Sequence, residues 1–226
     1  MAFLAVRTLI VLMLISTFAK AANKYDYLQL VQQWPKTFCH NNRACIQGAV
    51  LPELFSIHGM WPSNFSGQND ACVGTRFSMR EMRRHNHLET QLLSSSWPSY
   101  TGLSNLHFWE YEYNKHGTCS ENNLKQTDYF TRADALWRRY NVTNMLLTSR
   151  HQISPGSSYR YADILYAIRQ GIGGYTPLIL CKQDPANNIW ILHEVIICFN
   201  PLGNNVIACR RRSRYSCNSG LIDYPK

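Results

Sequence analysis

"NIWILHEVIICF", residues 188–199, is the stretch on which the fold turns. It is a β-branched run, the composition of a strand. "TPLILC" (176–181) and "NVIACR" (205–210) share that character, and turn residues separate the three runs. The last third of the chain therefore reads as sheet.

The other end matches it. "YDYLQLVQQW", Tyr25 to Trp34, alternates apolar and polar residues as a strand does, and Pro35 stops it. "ELFSIHGMWP" (53–62) reads as a second strand, with Phe55 and Ile57 on one side and Leu54, Ser56 and His58 on the other. Gly59 and Pro62 are expected to end it. From Asn64 to Thr75, "NFSGQNDACVGT" is a loop. The middle turns helical. Apolar spacing runs through Met79, Met82, Leu88 and Leu92, then through Leu103, Leu106, Trp109 and Tyr113 with Gly117 as a C-terminal cap. "TDYFTRADALWRRYN" (127–141) and "YRYADILYAIRQGIGG" (159–174) add two more helices. Helices between strands predict an α+β fold, an antiparallel central sheet flanked by helices. Neither repeat nor linker interrupts residues 23–226, so they are read as one domain.

Residues 1–22 are set apart as a signal peptide. Arg7 gives a positive start, "TLIVLMLISTF" (8–18) is apolar, and Ala19-Lys20-Ala21 offers small residues at a cleavage spacing. A membrane-spanning helix needs about twenty apolar residues, so no anchor is expected and the mature protein should be secreted. Eight cysteines, all downstream, read as a disulfide framework. Cys39 and Cys45 flank a short polar loop and are expected to pair with each other. No C-x₂-C and no H-x₃₋₅-H occurs, so no metal site is expected. Asn64-Phe65-Ser66 and Asn141-Val142-Thr143 are glycosylation sequons. The formal charge of +9 falls to +7 once Arg7 and Lys20 are removed. That excess favours a polyanionic partner.

"FWEYEYNKHGTCSE" (108–121) carries the densest chemistry. On a helix, Phe108, Glu112 and His116 stack on one face, with Tyr111 and Lys115 beside them. The bland alternative is a Glu112–Lys115 pair on a solvated helix surface, worth a few tenths of a kcal/mol. His58 taken alone reads as a hydrogen-bonded core residue. Two histidines at the ends of two elements, each followed by glycine, point further, because Gly59 and Gly117 would let a substrate backbone approach. Two histidines, a lysine and a glutamate suit RNA cleavage without a metal. One imidazole takes the 2′-OH proton, the other protonates the leaving 5′-oxygen, and Lys115 steadies the phosphate. His40, His107, His151, His193 and the His85-Asn86-His87 run read as ordinary surface or core residues. "RRRSR" (210–214) reads as a solvated basic hairpin.

"FSIHGMWP" and "NKHGTC" resemble the two active-site signatures of the ribonuclease T2 family, FTIHGLWP and HEW-x-KHGTC. "YDYLQLVQQWP" and "LHEVIICF…NNVIAC" are similar to its terminal strands. The resemblance implies His116 as general base and His58 as general acid, with Glu112 and Lys115 at the phosphate and no cofactor. It implies Trp61, Phe108 and Gln33 against bases, and the pairs Cys39–Cys45, Cys72–Cys119, Cys181–Cys217 and Cys198–Cys209. Tyr111 departs from the pattern, which has a phosphate-binding histidine there, and Tyr113 replaces a common tryptophan. Activity that is retained but lower is expected. Within the family the basic charge and the two ends look most like the S-ribonucleases of rose-family plants. The Asn64–Met79 segment would then be a recognition region, and a pollen F-box protein a partner of the monomer. The competing readings are a non-S plant ribonuclease of defence or phosphate recovery, a secreted RNA binder without turnover, and a metal-dependent nuclease. The last is disfavoured by the lack of an acidic cluster.

Overall fold

The computed structural model describes residues 25–68, 72–210, 216–217 and 220–226. The signal peptide expected at 1–22 and Arg211 to Arg214 of the basic run lie outside the described residues.

The stretch 188–199 becomes the axis of the sheet. β1 (Tyr27–Gln33), β2 (Ser56–Asn64), β3 (Gly67–Gln68), β4 (Ser157–Arg160), β5 (Leu178–Gln183), β6 (Trp190–Phe199), β7 (Val206–Ile207) and β8 (Leu221–Tyr224) join in one sheet. Its order is β3-β2-β1-β6-β8-β4, with β5 and β7 also paired to β6. The sheet is antiparallel as expected, except for one parallel bridge between Ile191 of β6 and Asp223 of β8. Every residue of β1 is buried. Its polar alternation therefore does not mark a wet face. Leu28 and Leu30 enter the main core with Ile197 and Phe199, while Tyr27 and Val31 pack on the other side with Leu180, Ile196 and Cys198.

The helices are α1 (Pro35–Cys39), α2 (Met79–Arg84), α3 (Ser94–Ser96), α4 (Asn105–Lys115), α5 (Gln126–Arg139), α6 (Val142–Leu147) and α7 (Tyr161–Gly171). The expected helix through Met79 to Leu92 is broken. α2 stops at His85, whose φ of −105° and ψ of 48° leave the helical region, and a π-helical stretch over Leu88–Leu93 then runs into α3. Met82 and Leu88 still reach the core, which is why the spacing looked continuous.

β2 also differs from its expected limits. It starts at Ser56 and runs through Gly59 and Pro62 to Asn64. β3 covers it only at Ser63 and Asn64, so Pro62 lies where β2 has one neighbour, and an edge tolerates a residue without an N–H. The carbonyls on and just before this edge are met by aromatic side-chain donors from the helical layer. Trp137 Nε1 donates to Phe55 O at 2.8 Å, Trp97 Nε1 to His58 O at 3.0 Å, and Tyr129 Oη to Met60 O at 2.6 Å. Buried backbone acceptors need partners, and three aromatic side chains supply them while locking strand to helices. The four disulfides are Cys39–Cys45, Cys72–Cys119, Cys181–Cys217 and Cys198–Cys209, the pairing implied by the resemblance.

Candidate active site

His58 owes its position to an irregularity in β2. Val31 of β1 faces Gly59 and Gln32 faces Ile57, leaving His58 as the extra residue of a β-bulge. Such a bulge re-aims a side chain out of strict alternation, so His58 does not simply share a side with Leu54 and Ser56. Its Nδ1 lies 2.7 Å from Oε1 of Glu194 on β6, reaching across β1.

His116 arrives from the helix. Ser104 caps the N-terminus of α4 by accepting from the His107 N–H, and α4 runs to Lys115 with His116 as its C-cap. The His116 N–H donates to Glu112 O at 2.9 Å, and its carbonyl accepts from the Cys119 N–H at 3.1 Å as the chain tightens into a 3₁₀ turn over Gly117–Ser120. Gly117 thus opens a tighter turn and does not cap α4 in the left-handed conformation. The Cys72–Cys119 bond ties that turn to the loop after β3.

Trp61 joins the two halves. Its ring centroid is 5.2 Å from that of His58 and 5.1 Å from that of His116, and its Nε1 donates to Glu112 Oε2 at 2.9 Å. Phe108 lies 6.4 Å from His58, nearly parallel to it. Glu112 is 2 % exposed, so the reading of a solvated Glu112–Lys115 surface pair fails: the carboxylate faces inward. The two glycines also serve differently from expectation. A Cβ on Gly59 would stand 2.1 Å from Trp61 Nε1 and 2.5 Å from Glu112 Oε2, and one on Gly117 would stand 2.4 Å from the Tyr113 ring. They make room for the protein's own side chains.

The electrostatics separate the acidic groups. Burial is the largest influence on Glu112 and raises its carboxyl above the usual range, against the opposing pull of His58, the Trp61 hydrogen bond and Lys115. Burial also acts most strongly on Glu194, but there the hydrogen bond and charge of His58, with His193 and Lys182, prevail and hold it below the ordinary value. For His58 burial pulls downward first, and Glu194 and then Glu112 outweigh it, with Lys115 opposing, so the imidazole is raised. His193, the bulged residue where β6 faces β5, is pushed down to about 4 by burial and lies 3.8 Å from the same Glu194 oxygen.

The structure thus brings together His58, His116, Glu112, Trp61 and Phe108. Tyr111 is 56 % exposed, and Lys115 Nζ sits 5.5 Å over its ring. Gln33 is buried between Ser56 and Glu194, and its Oε1 has no hydrogen-bond partner. Tyr113 belongs to the core, packed on Phe77, Tyr129 and Phe130. His193 is not the unremarkable residue its local sequence implied. Glu194 was missed altogether, although a lone carboxylate inside the apolar run "WILHEVIIC" was a visible signal. Among the described residues, no group of three or more His, Cys, Asp and Glu side chains is placed to hold a metal ion, and no helix is long and apolar enough to cross a membrane.

The chain is similar to known proteins. The profile of the Ribonuclease T2 family matches residues 25–209. Ribonuclease DdI of Dictyostelium discoideum is 33 % identical over 204 residues, spanning 89 % of this chain and 85 % of its own. A variant of RNase MC1 solved in complex with 5′-GMP superposes with a TM-score of 0.77 at 28 % identity, over 88 % of this chain and 100 % of that one. Japanese pear S3-RNase superposes with a TM-score of 0.77 at 30 % identity, again over 88 % and 100 %.

Proposed function

From the premise that the chain belongs to the ribonuclease T2 family, we propose that it is a secreted endoribonuclease cleaving single-stranded RNA through a 2′,3′-cyclic phosphate. His116 takes the proton of the ribose 2′-OH. The freed oxygen attacks the adjacent phosphorus, and the P–O bond to the 5′-oxygen breaks as His58 delivers a proton to that oxygen. Water then opens the cyclic ester with the two roles exchanged. Glu112 and Lys115 stand at the phosphate, and Lys115 offsets charge that grows on it. No metal takes part. The observation that carries this reading is that both imidazoles pack on one indole, 5.2 and 5.1 Å from Trp61.

Trp61 and Phe108 would receive the bases, a stacking contact of about 1–3 kcal/mol each that tolerates base identity. Tyr111 offers the phosphate a neutral donor at most. Gln33 reaches a base only if the side chains that bury it move. Asn64 and Asn141 carry glycans in this reading, and the protein acts as a monomer. To test the reaction, RNA is incubated with the protein in excess EDTA beside His116→Ala. Cleavage that persists in EDTA and is lost in the variant is the expected result. Cleavage abolished by EDTA would mean a metal enzyme, and RNA bound but never cut would mean a binder.

The biological setting proposed is the style determinant of gametophytic self-incompatibility, with a pollen F-box protein as partner. The net positive charge and the likeness to Japanese pear S3-RNase support it. Sequencing this locus across many self-incompatible plants should find divergent alleles, and one invariant sequence would point to defence or phosphate recovery.

A further inference from the structure

Glu194 has no obvious place in a strand built for burial. It is 6 % exposed, with Leu192 and Val195 of the core beside it and Gln33 and Leu180 as its partners on β1 and β5. Burying an ionised carboxylate costs several kcal/mol unless its geometry is excellent, and an apolar side chain of similar size is often the more stable choice. What Glu194 receives in return is His58 Nδ1 at 2.7 Å. An ionised carboxylate can only accept, so Nδ1 must carry the hydrogen. In the charged ring the second proton is then on Nε2. In the neutral ring Nε2 is the bare nitrogen.

We propose that Glu194 is the positioning residue of the general acid: its carboxylate fixes the Nδ1–H of His58 so that Nε2 carries the proton delivered to the leaving 5′-oxygen. The inference rests on the ribonuclease reading above and deepens it. When the Nε2 proton leaves, the ring stays neutral with Nδ1–H still held, and Nε2 becomes the acceptor that the water step requires. Glu194 remains ionised throughout. Lys182 on β5 supplies a cation to face it once His58 is neutral. That ammonium donates to the Thr37 and Phe38 carbonyls at 3.3 and 3.4 Å; burial lowers its pKa below the ordinary lysine value, and the charge of Glu194 opposes that pull. The other groups around His58 are Glu112 and Lys115 of α4, His193 beside Glu194, and His116, which also packs on the Trp61 ring. Glu194 is the one whose oxygen bonds the imidazole in the described structure.

Glu194→Gln keeps an oxygen that accepts from Nδ1–H and removes the charge. On a dinucleotide such as UpU, kcat/KM at neutral pH is expected to fall at least tenfold. The alkaline limb of its pH profile should move to lower pH by about one unit, since a neighbouring anion favours the charged ring. The acidic limb should stay in place. On uridine 3′-(4-nitrophenyl phosphate), whose leaving group needs no proton, the variant should come within about threefold of wild type. Equal losses on both substrates, or a profile lowered without moving, would reduce Glu194 to a structural residue and overturn the proposal. His58→Ala on the same pair tests the parent reading separately: if it is equally impaired on both, His58 is not the acid. Should Glu194→Gln fail to fold, ¹⁵N NMR of the wild-type imidazoles decides. The neutral ring of His58 must be the Nδ1–H tautomer, and an Nε2–H tautomer overturns the proposal.

Discussion

The two histidines of the site are held by opposite means. His58 sits on a strand bulge, with its imidazole bonded to a buried carboxylate and its carbonyl to Trp97. His116 sits at a helix end, fixed through its backbone to Glu112 and Cys119, in a turn that the Cys72–Cys119 bond anchors. Side-chain charge dominates the first half, and backbone geometry with a covalent staple dominates the second. The difference fits the roles proposed for the two. A proton donor gains from an anion behind it, whereas a base gains more from exact placement near a reactive hydroxyl.

The largest break should come at the staple. Replacing Cys72 and Cys119 with serine removes a link between positions 47 apart, whereas Cys39–Cys45 joins positions 6 apart. Loss of a native disulfide from a secreted domain costs about 2–5 kcal/mol, more for longer loops. The first double variant should therefore unfold at a clearly lower temperature than Cys39→Ser/Cys45→Ser in calorimetry. At temperatures where it stays folded, its turnover should fall without any shift of the alkaline limb governed by His58. A greater loss of stability at Cys39–Cys45 would contradict this division of labour.

Next comes the hinge between the halves. In Gly59→Ala the new methyl collides with Trp61 Nε1 and Glu112 Oε2, so the indole must leave its place against the two imidazoles. A displacement of about 1 Å can cost 10²-fold in rate, and a loss of about that size in kcat/KM is expected with the secondary structure by circular dichroism intact. Wild-type activity would mean that Trp61 can move without consequence.

How much of this was legible follows from the same contrast. The helix half could be read directly, because i, i+4 spacing places Phe108, Glu112 and His116 on one face whatever surrounds the helix. The strand half could be read only for its residue type. A bulge shifts register by one position, and nothing in "SIHGMW" marks where the extra residue falls. Glu194 lay further out of reach, since its partner is brought to it across β1 by pairing that no local pattern encodes. The broken helix after Met82 failed for a related reason: both fragments bury their apolar residues on the same core, so the spacing survived a break at His85. The glycines were read as openings for substrate because a sequence does not show that Trp61, Glu112 and Tyr113 already fill the space.

A smaller effect is expected at Glu112. Its carboxyl is raised above 4.5, chiefly by burial, so the fold is more stable with it protonated. That cost develops as pH rises through the raised value and is fully present above it. Glu112→Gln still offers Trp61 an acceptor oxygen and should be at least as stable as wild type at pH 7, with the gain vanishing below pH 4.5. Cleavage should drop about tenfold, near 1.4 kcal/mol of barrier. Thermal melts across pH beside RNA assays would separate the two, and a variant less stable at pH 7 than at pH 4 relative to wild type would refute the sign.

The smallest effect is expected where the helix half departs from its family. Tyr111 is exposed, under Lys115 and outside the buried cluster of His58, Trp61 and Glu112. A histidine there adds a cation that is free to meet a phosphate but remains screened by water, and exposed ion contacts are worth about 0–1 kcal/mol. Tyr111→His should therefore raise kcat/KM by no more than about fivefold. The ratio of variant to wild type should grow as pH falls through about 6.5, where an exposed imidazole gains its proton. Taking the ratio cancels any pH dependence the two proteins share. Tyr111→Phe, which removes only a neutral donor, should change less than Tyr111→His. If the histidine leaves rate and affinity unchanged at every pH, the tyrosine is a neutral replacement and the expectation of lowered activity at this position is wrong.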